Sequence, residues 1–228
     1  MIRAWLVGAL ALAVAVQALR PAVVAAEQST AAPQPKPKGR LFPPQDLGLI
    51  QAPDREQWQK PDQIMDALSI AEGSVVADLG AGGGWFTVRL ARRVGPNGLV
   101  YGEDIQPEMI EAIGRRVQGE GLRNVRTVLG TETDPKLPTR VDAVLIVDVY
   151  NEIDDPVTVL KNVARYLKPQ GRLGIVDFNQ GGGGPGPEPD KRVDPQTIIN
   201  DAAQAGLQLL SREAVPPFEF MLVFGPQK

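Results

Sequence analysis

Asp78 stands two residues ahead of three glycines at alternate positions, Gly80, Gly82 and Gly84, within Val75-Val76-Ala77-Asp78-Leu79-Gly80-Ala81-Gly82-Gly83-Gly84-Trp85-Phe86. The order is an apolar strand, an acid at its end, a glycine-rich turn and the start of a helix. Alternate glycines let the backbone bend sharply and let a ligand lie against it without interference from Cβ atoms. A carboxylate beside such a turn repels a pyrophosphate and attracts an amine or another cation. A ligand with an ammonium, a sulfonium and no phosphate, S-adenosylmethionine, meets that requirement.

A second acid, Asp104, closes the run Val100-Tyr101-Gly102-Glu103-Asp104, 24 residues beyond Gly80. That is near the ~20-residue spacing at which a carboxylate reaches a ribose diol. The alternative is an acid at a helix N-terminus, since Pro107 opens the next helical stretch. Glu103 is the neighbouring candidate, and strand alternation predicts that one of the two faces the pocket. A third group, Asp148-Val149-Tyr150-Asn151-Glu152, follows an apolar strand. Asp148 and Glu152 can attract a cation or accept a proton, and Tyr150 can offer an aromatic face to a methyl-bearing cation. In the alternative, Asp148 and Asn151 cap the following helix while Tyr150 packs.

The elements that must position these residues alternate regularly. Strands are predicted over 74–79, 99–104, 125–129, 142–148, 172–177, 207–212 and 219–224. Helices are predicted over 85–94, 107–118, 156–167 and 195–205, with a helix-prone stretch over 54–68 interrupted near Pro61. Apolar strands alternating with amphipathic helices indicate an α/β fold, a mostly parallel sheet covered on both faces. The short link at Pro216-Pro217 predicts an antiparallel last strand. Gly181-Gly182-Gly183-Gly184-Pro185-Gly186-Pro187 follows the strand over 172–177 and reads as a mobile lid or as a surface loop. Trp85 reads as pocket wall, Trp58 as a core aromatic or a cover over the ligand, and Arg192 as a solvated cation or a partner for an anionic group.

The chain has 228 residues, enough for one α/β domain. Its net charge of −3 supplies no basic field, so no nucleic-acid partner is expected. It contains no cysteine and no histidine. Disulfides, thiolate metal sites and cysteine nucleophiles are excluded, no metal is expected, and a general base must be Asp, Glu, Lys, Tyr or water. Arg3, the apolar run from Ala4 to Ala18 and the small residues Val24-Ala25-Ala26 read as a signal peptide over 1–26. The apolar run falls short of the ~20 residues of a membrane span. An exported, periplasmic or secreted protein is the expectation, with an uncleaved N-terminal anchor as the alternative. A Pro/Ala-rich disordered tether is expected over 27–53 and the folded domain over 54–228.

Three segments in order resemble class I S-adenosylmethionine-dependent methyltransferases: Asp78–Gly84, Val100–Met109 and Leu167-Lys168-Pro169-Gln170-Gly171-Arg172-Leu173. The resemblance covers residues 55–228 and, within that superfamily, is similar to a group of exported bacterial methyltransferases of undefined substrate. It implies a Rossmann-like, doubly wound seven-stranded sheet, S-adenosylmethionine as cofactor and in-line methyl transfer to a small-molecule acceptor. It implies that Asp78, Gly80, Ala81, Gly82 and Gly84 form the cofactor turn, that Asp104 holds the ribose and that Ile105 packs on the adenine. An Asp that many relatives place after the third strand is replaced by Thr131-Glu132 following Gly130, so Thr131 or Glu132 stands in for it. Asp148, Tyr150, Asn151 and Glu152 fall at the reacting end, with Asp148 beside the sulfonium; Asn151 stands where the group carries a histidine. Arsenite-type methylation relies on cysteines, which this chain lacks, and the Asp148–Asn151 segment lacks the prolines of amino-methylating nucleic-acid enzymes. A non-catalytic nucleoside-binding module and a nicotinamide-dependent oxidoreductase are the two alternatives. Trp85, where the latter places a small residue, and Asp78 argue against the oxidoreductase.

Overall fold

A computed structural model describes residues 41–50, 52–181 and 183–227; the expected signal peptide and most of the expected tether lie outside them. Chain order is α1 (Arg55–Gln59), α2 (Pro61–Ala67), β1 (Val75–Leu79), α3 (Trp85–Val94), β2 (Leu99–Asp104), α4 (Pro107–Gly119), β3 (Val125–Leu129) and β4 (Val141–Val147), then α5 (Pro156–Tyr166), β5 (Leu167–Phe178), α6 (Pro195–Gln204), β6 (Leu207–Val215) and β7 (Glu219–Pro226). The helix starts follow local chemistry. Pro107, Pro156 and Pro195 each occupy a first helical turn, where a missing N–H costs nothing. The Asp155 side chain caps α5 by accepting from the Thr158 N–H, and Asp194 caps α6 by accepting from the Gln196 N–H.

The seven strands form one sheet in the order β3-β2-β1-β4-β5-β7-β6. All neighbours pair in parallel except β7, which runs antiparallel to both β5 and β6. The fold is therefore the α/β, mostly parallel seven-stranded sheet with a reversed last strand that the pattern predicts. β5 is longer than expected: it begins at Leu167, pairs there with Val141, and resumes at Arg172 opposite Ala143 after an irregularity that absorbs Lys168–Gly171.

Strand alternation divides the core between the two faces. Ala77, Val144, Ile146, Leu173, Ile175, Phe220 and Leu222 pack with α5 and α6. Val76, Ala143, Leu145, Val176, Met221 and Val223 pack with α2 and α3. The chain runs outward from β1 to β3, then returns to start β4 on the other side of β1. The carboxyl ends of β1 and β4 thus flank a crevice at the topological switch point, the usual ligand position in open α/β sheets.

Candidate functional site

A cavity of about 720 Å³ opens at that crevice. Its floor is the glycine turn. Gly80 and Gly82 hold left-handed backbones, with φ of 65° and 53°. The turn is stitched to β2: the Ala81 N–H donates to the Glu103 carbonyl (2.8 Å), and the Gly82 N–H donates to Asp104 Oδ2 (3.0 Å). Gly80 is also demanded by the protein's own packing, since a Cβ there would lie 2.8 Å from the Val149 side chain.

Three buried carboxyls surround the turn. Asp78 Oδ2 accepts from the Thr87 hydroxyl (2.6 Å); burial raises the carboxyl to about 7, against the opposing pull of Thr87 and of the Arg55 charge. Burial, reinforced by the charge of Asp104, raises Glu103 to about 8. Burial also raises Asp104, while the N–H groups of Gln106 and Gly82 pull it back. Contrary to the alternation expectation, Glu103 and Asp104 both line the cavity. The pleat ends at Asp104, and Gly130 leaves the space that the Glu103 carboxyl fills, for a Cβ at Gly130 would lie 1.8 Å from Glu103 Oε1.

Ala81, Ile105, Thr131, Glu132, Asp148, Asn151 and Glu152 also line the cavity. The Thr131 hydroxyl is engaged in a local turn, donating to the Asp134 carbonyl and accepting from its N–H. Two expected residues stand elsewhere. Gly84, with φ of 75°, starts α3 against Ile113 and does not reach the cavity. Tyr150 is wholly buried among apolar side chains and donates its hydroxyl to Asp201 Oδ2 (2.8 Å), so it offers no aromatic face to a ligand. The short turn at Tyr150–Glu152 points it away from the strand ends and into the α5–α6 side of the core.

Two surface expectations change as well. Residues at the end of the expected 27–53 tether are structured: a 3-10 helix spans Pro44–Ile50, and Leu41 and Phe42 line the cavity. The Phe42 N–H donates to Glu152 Oε2 (3.0 Å), and Gln106 Nε2 donates to the Phe42 carbonyl (3.1 Å). Burial raises Glu152 to about 7 although the Phe42 N–H favours its ionised form. Arg192 is neither solvated nor aimed at a ligand. It is buried, donates to the carbonyls of Pro187, Asn179 and Gly183, and lies over the Phe178 ring at 5.2 Å. It pins the glycine-rich loop so that Pro185, Gly186 and Pro187 form part of the cavity wall. Trp85 is wall, as expected, and Trp58 also lines the cavity, 6.0 Å from the Phe178 ring.

Behind the far end of the cavity, where Arg55 and Asp148 line it, lies a polar cluster that no local sequence pattern assembles. Arg55 Nε donates to Gln59 Oε1 (2.6 Å), which turns the Gln59 amide nitrogen toward Glu219 Oε1 (2.6 Å) and Asp148 Oδ2 (3.1 Å). Arg55 also pairs with Asp148 at 3.5 Å and lies over the Trp85 ring at 4.6 Å. A signal for one member was present: Glu219 opens an otherwise apolar strand.

The arrangement suits a cationic nucleoside. Of the groups around the turn, the Asp78 carboxyl is an acceptor where a dinucleotide's pyrophosphate would need donors, whereas an acid at Asp104 suits the ribose of either ligand. The cavity volume lies in the usual range for a cofactor with a small partner. A methyltransferase-domain family model matches residues 70–206. The chain is 30% identical over 134 residues to a demethylmenaquinone methyltransferase of Lactobacillus johnsonii, covering 58% of this chain and 54% of that protein. It is 33% identical over 138 residues to an arsenite methyltransferase of Halobacterium salinarum, covering 60% and 34%. A crystal structure of a SAM-dependent methyltransferase from Aquifex aeolicus superposes with a TM-score of 0.75 at 25% identity, over 80% of this chain and 98% of that one. The chain spans about half the length of the first of the curated relatives it matches.

Proposed function

The chain belongs to the methyltransferase-domain family, with S-adenosylmethionine as its cofactor, and we propose that it transfers the cofactor's methyl group to a small-molecule acceptor. The observation that carries this reading is the glycine turn ringed by Asp78, Glu103 and Asp104, which accepts positive charge and disfavours phosphate. The cofactor supplies a methyl group on a positively charged sulfur, already activated for displacement.

The chain's residues have the remaining tasks. Asp78 and the turn at Gly80, Ala81 and Gly82 receive the charged methionine end. Asp104, fixed by the Gly82 and Gln106 N–H groups, accepts from the ribose hydroxyls, and Ile105 packs on the adenine with Thr131 and Glu132 at its edge. Asp148, Asn151 and Glu152 face the reacting end. Holding two reactants aligned in a water-poor cavity provides much of the acceleration for a leaving group of this kind. Demethylmenaquinone is the substrate named for one set of relatives, and the aromatic walls formed by Phe42, Trp58 and Phe178 favour a flat apolar acceptor of that general kind. The pattern at 1–26 supports export, and the domain is taken as 54–228 with Leu41 and Phe42 docked on its cavity. Among the described residues no helix is long and apolar enough to cross a membrane.

The test is transfer of labelled methyl from S-adenosylmethionine to small molecules of a cell extract by the full chain. Labelled low-mass product is expected. Tight cofactor binding with no labelled product from any extract would instead identify a binding module.

A further inference from the structure

Asp148 and Glu219 lie 71 positions apart in the chain yet share one donor, the Gln59 amide. That amide has two hydrogens and spends both on them. The opposite oxygens, Asp148 Oδ1 and Glu219 Oε2, are buried and meet no N–H or hydroxyl donor among the described residues. A single proton shared between these two interacting carboxyls replaces the repulsion of two buried charges with a hydrogen bond. Glu219 is 1% exposed and does not reach the cavity, whereas Asp148 lines it with a side chain 21% exposed. Asp148 also holds a left-handed backbone, φ 59°, and its N–H donates to the Val176 carbonyl (3.0 Å). That conformation is uncommon for a residue other than glycine and sets the carboxyl at the crevice.

We propose that Asp148, joined to Glu219 through one proton, takes the proton lost by the methyl acceptor, and that the acceptor is a planar, weakly acidic hydroxyl compound, a phenol or an enol. This rests on the methyltransferase reading above. Glu219 and Gln59 are positioning residues. Burial raises both carboxyls, and the hydrogen bond from Glu219 favours the ionised form of Asp148, so Asp148 is the partner left charged. Arg55 is the cation acting on both carboxyls. Its guanidinium, 3.5 Å from Asp148, repels an ammonium acceptor and tolerates a developing oxyanion. Phe42, Trp58, Trp85 and Phe178 give the cavity flat apolar walls. In the step, the acceptor's O–H bond breaks and its electron pair forms the new O–CH3 bond. The proton passes to Asp148, and the pair of the donor's S–CH3 bond leaves on sulfur. The cofactor's positive charge and the carboxyl pair's negative charge vanish together.

The test uses the full chain with methyl-labelled S-adenosylmethionine, catechol and 1-naphthol as hydroxyl probes, and benzylamine and 1-naphthylmethylamine, both ammonium ions at neutral pH, as amine controls. The hydroxyl probes are expected to be methylated and the amines not. Asp148→Asn, which tolerates a left-handed backbone, should lower kcat about 100-fold with less than about a tenfold change in cofactor affinity. Glu219→Leu removes the proton donor and should move the acid limb of the kcat profile up by about one pH unit; Glu219→Gln keeps a donor and should leave that limb in place. Without any ligand, Asp78, Glu103 and Glu152 also contribute protonated-carboxyl absorption in the infrared at neutral pH, and the difference spectrum between the parent and Glu219→Gln should show the loss of one further buried carboxyl. Methylation of the amines alone, an unchanged kcat in Asp148→Asn, or no loss of carboxyl absorption in Glu219→Gln would each overturn the proposal. Cofactor binding with no probe methylated would overturn it and leave the methyltransferase reading standing; no cofactor binding would overturn both.

Discussion

The two ends of the cavity are built by different means. The cofactor end is a local construction: the turn after β1 and the end of β2 are each contiguous in sequence, and main-chain N–H groups tie one to the other. The acceptor end brings together Arg55, Gln59, Asp148 and Glu219 from a short N-terminal helix, the β4 exit and the last strand. Backbone geometry fixes the first end, and side chains that touch only after the sheet has closed fix the second. Substitutions at the first should therefore weaken or abolish cofactor binding, and substitutions at the second should alter turnover and its pH dependence.

The largest effect should come from Gly82→Val. A β-branched residue at φ 53° is strained, and the N–H that holds Asp104 would be displaced. Cofactor affinity is expected to fall below detection by calorimetry while circular dichroism shows a folded protein. Retained affinity would place the ligand off the turn. Asp104→Ala should weaken cofactor binding at least tenfold, about 1.4 kcal/mol. An unchanged constant would remove the ribose role from that residue.

The carboxyls around the turn make a pH prediction that separates the unliganded and liganded protein. Asp78 at about 7 and Glu103 at about 8 both lie above their ordinary values, so the folded chain holds protons that the unfolded chain releases. The unfolded state then binds fewer protons, and stability falls as pH rises from about 5 toward 8, by at most about 1.4 kcal/mol per group per pH unit. A cation favours the ionised forms, so cofactor affinity should rise over the same window and the melting temperature of the liganded protein should fall less. A thermal-shift series from pH 5 to 9 with and without S-adenosylmethionine reads both trends; parallel curves would contradict them. The smallest effect belongs to Tyr150→Phe, outside both ends. Losing its hydrogen bond to Asp201 should cost about 1 kcal/mol of stability with cofactor affinity unaltered.

The same contrast explains what the sequence made legible. Apart from the early start of β5 at Leu167, the period-two and period-3.6 patterns place the strands and helices of the sheet within a few residues, because apolar runs and proline-started helices are local signals. The turn, Asp104 and the residues after β4 are legible for the same reason. Tyr150 was not: one 3-10 turn decides whether an aromatic after β4 faces the crevice or the core, and here it faces Asp201. Glu103 defied alternation because Gly130, on another element, leaves it room. Arg192 resembled a loop cation until its three carbonyl acceptors were in place. Gln59 and Glu219, 160 positions apart, carry no pairing signal in a single sequence.

One measurement bears most directly on the claim that an acid-ringed glycine turn receives a cationic nucleoside. The full chain is titrated calorimetrically with S-adenosylmethionine, S-adenosylhomocysteine and NADH in two buffers of different ionisation enthalpy at pH 7. Saturable binding of S-adenosylmethionine with net proton release, weaker proton release for the homocysteine and no binding of NADH is the expected result. Tight binding of NADH, or none of S-adenosylmethionine, would contradict it.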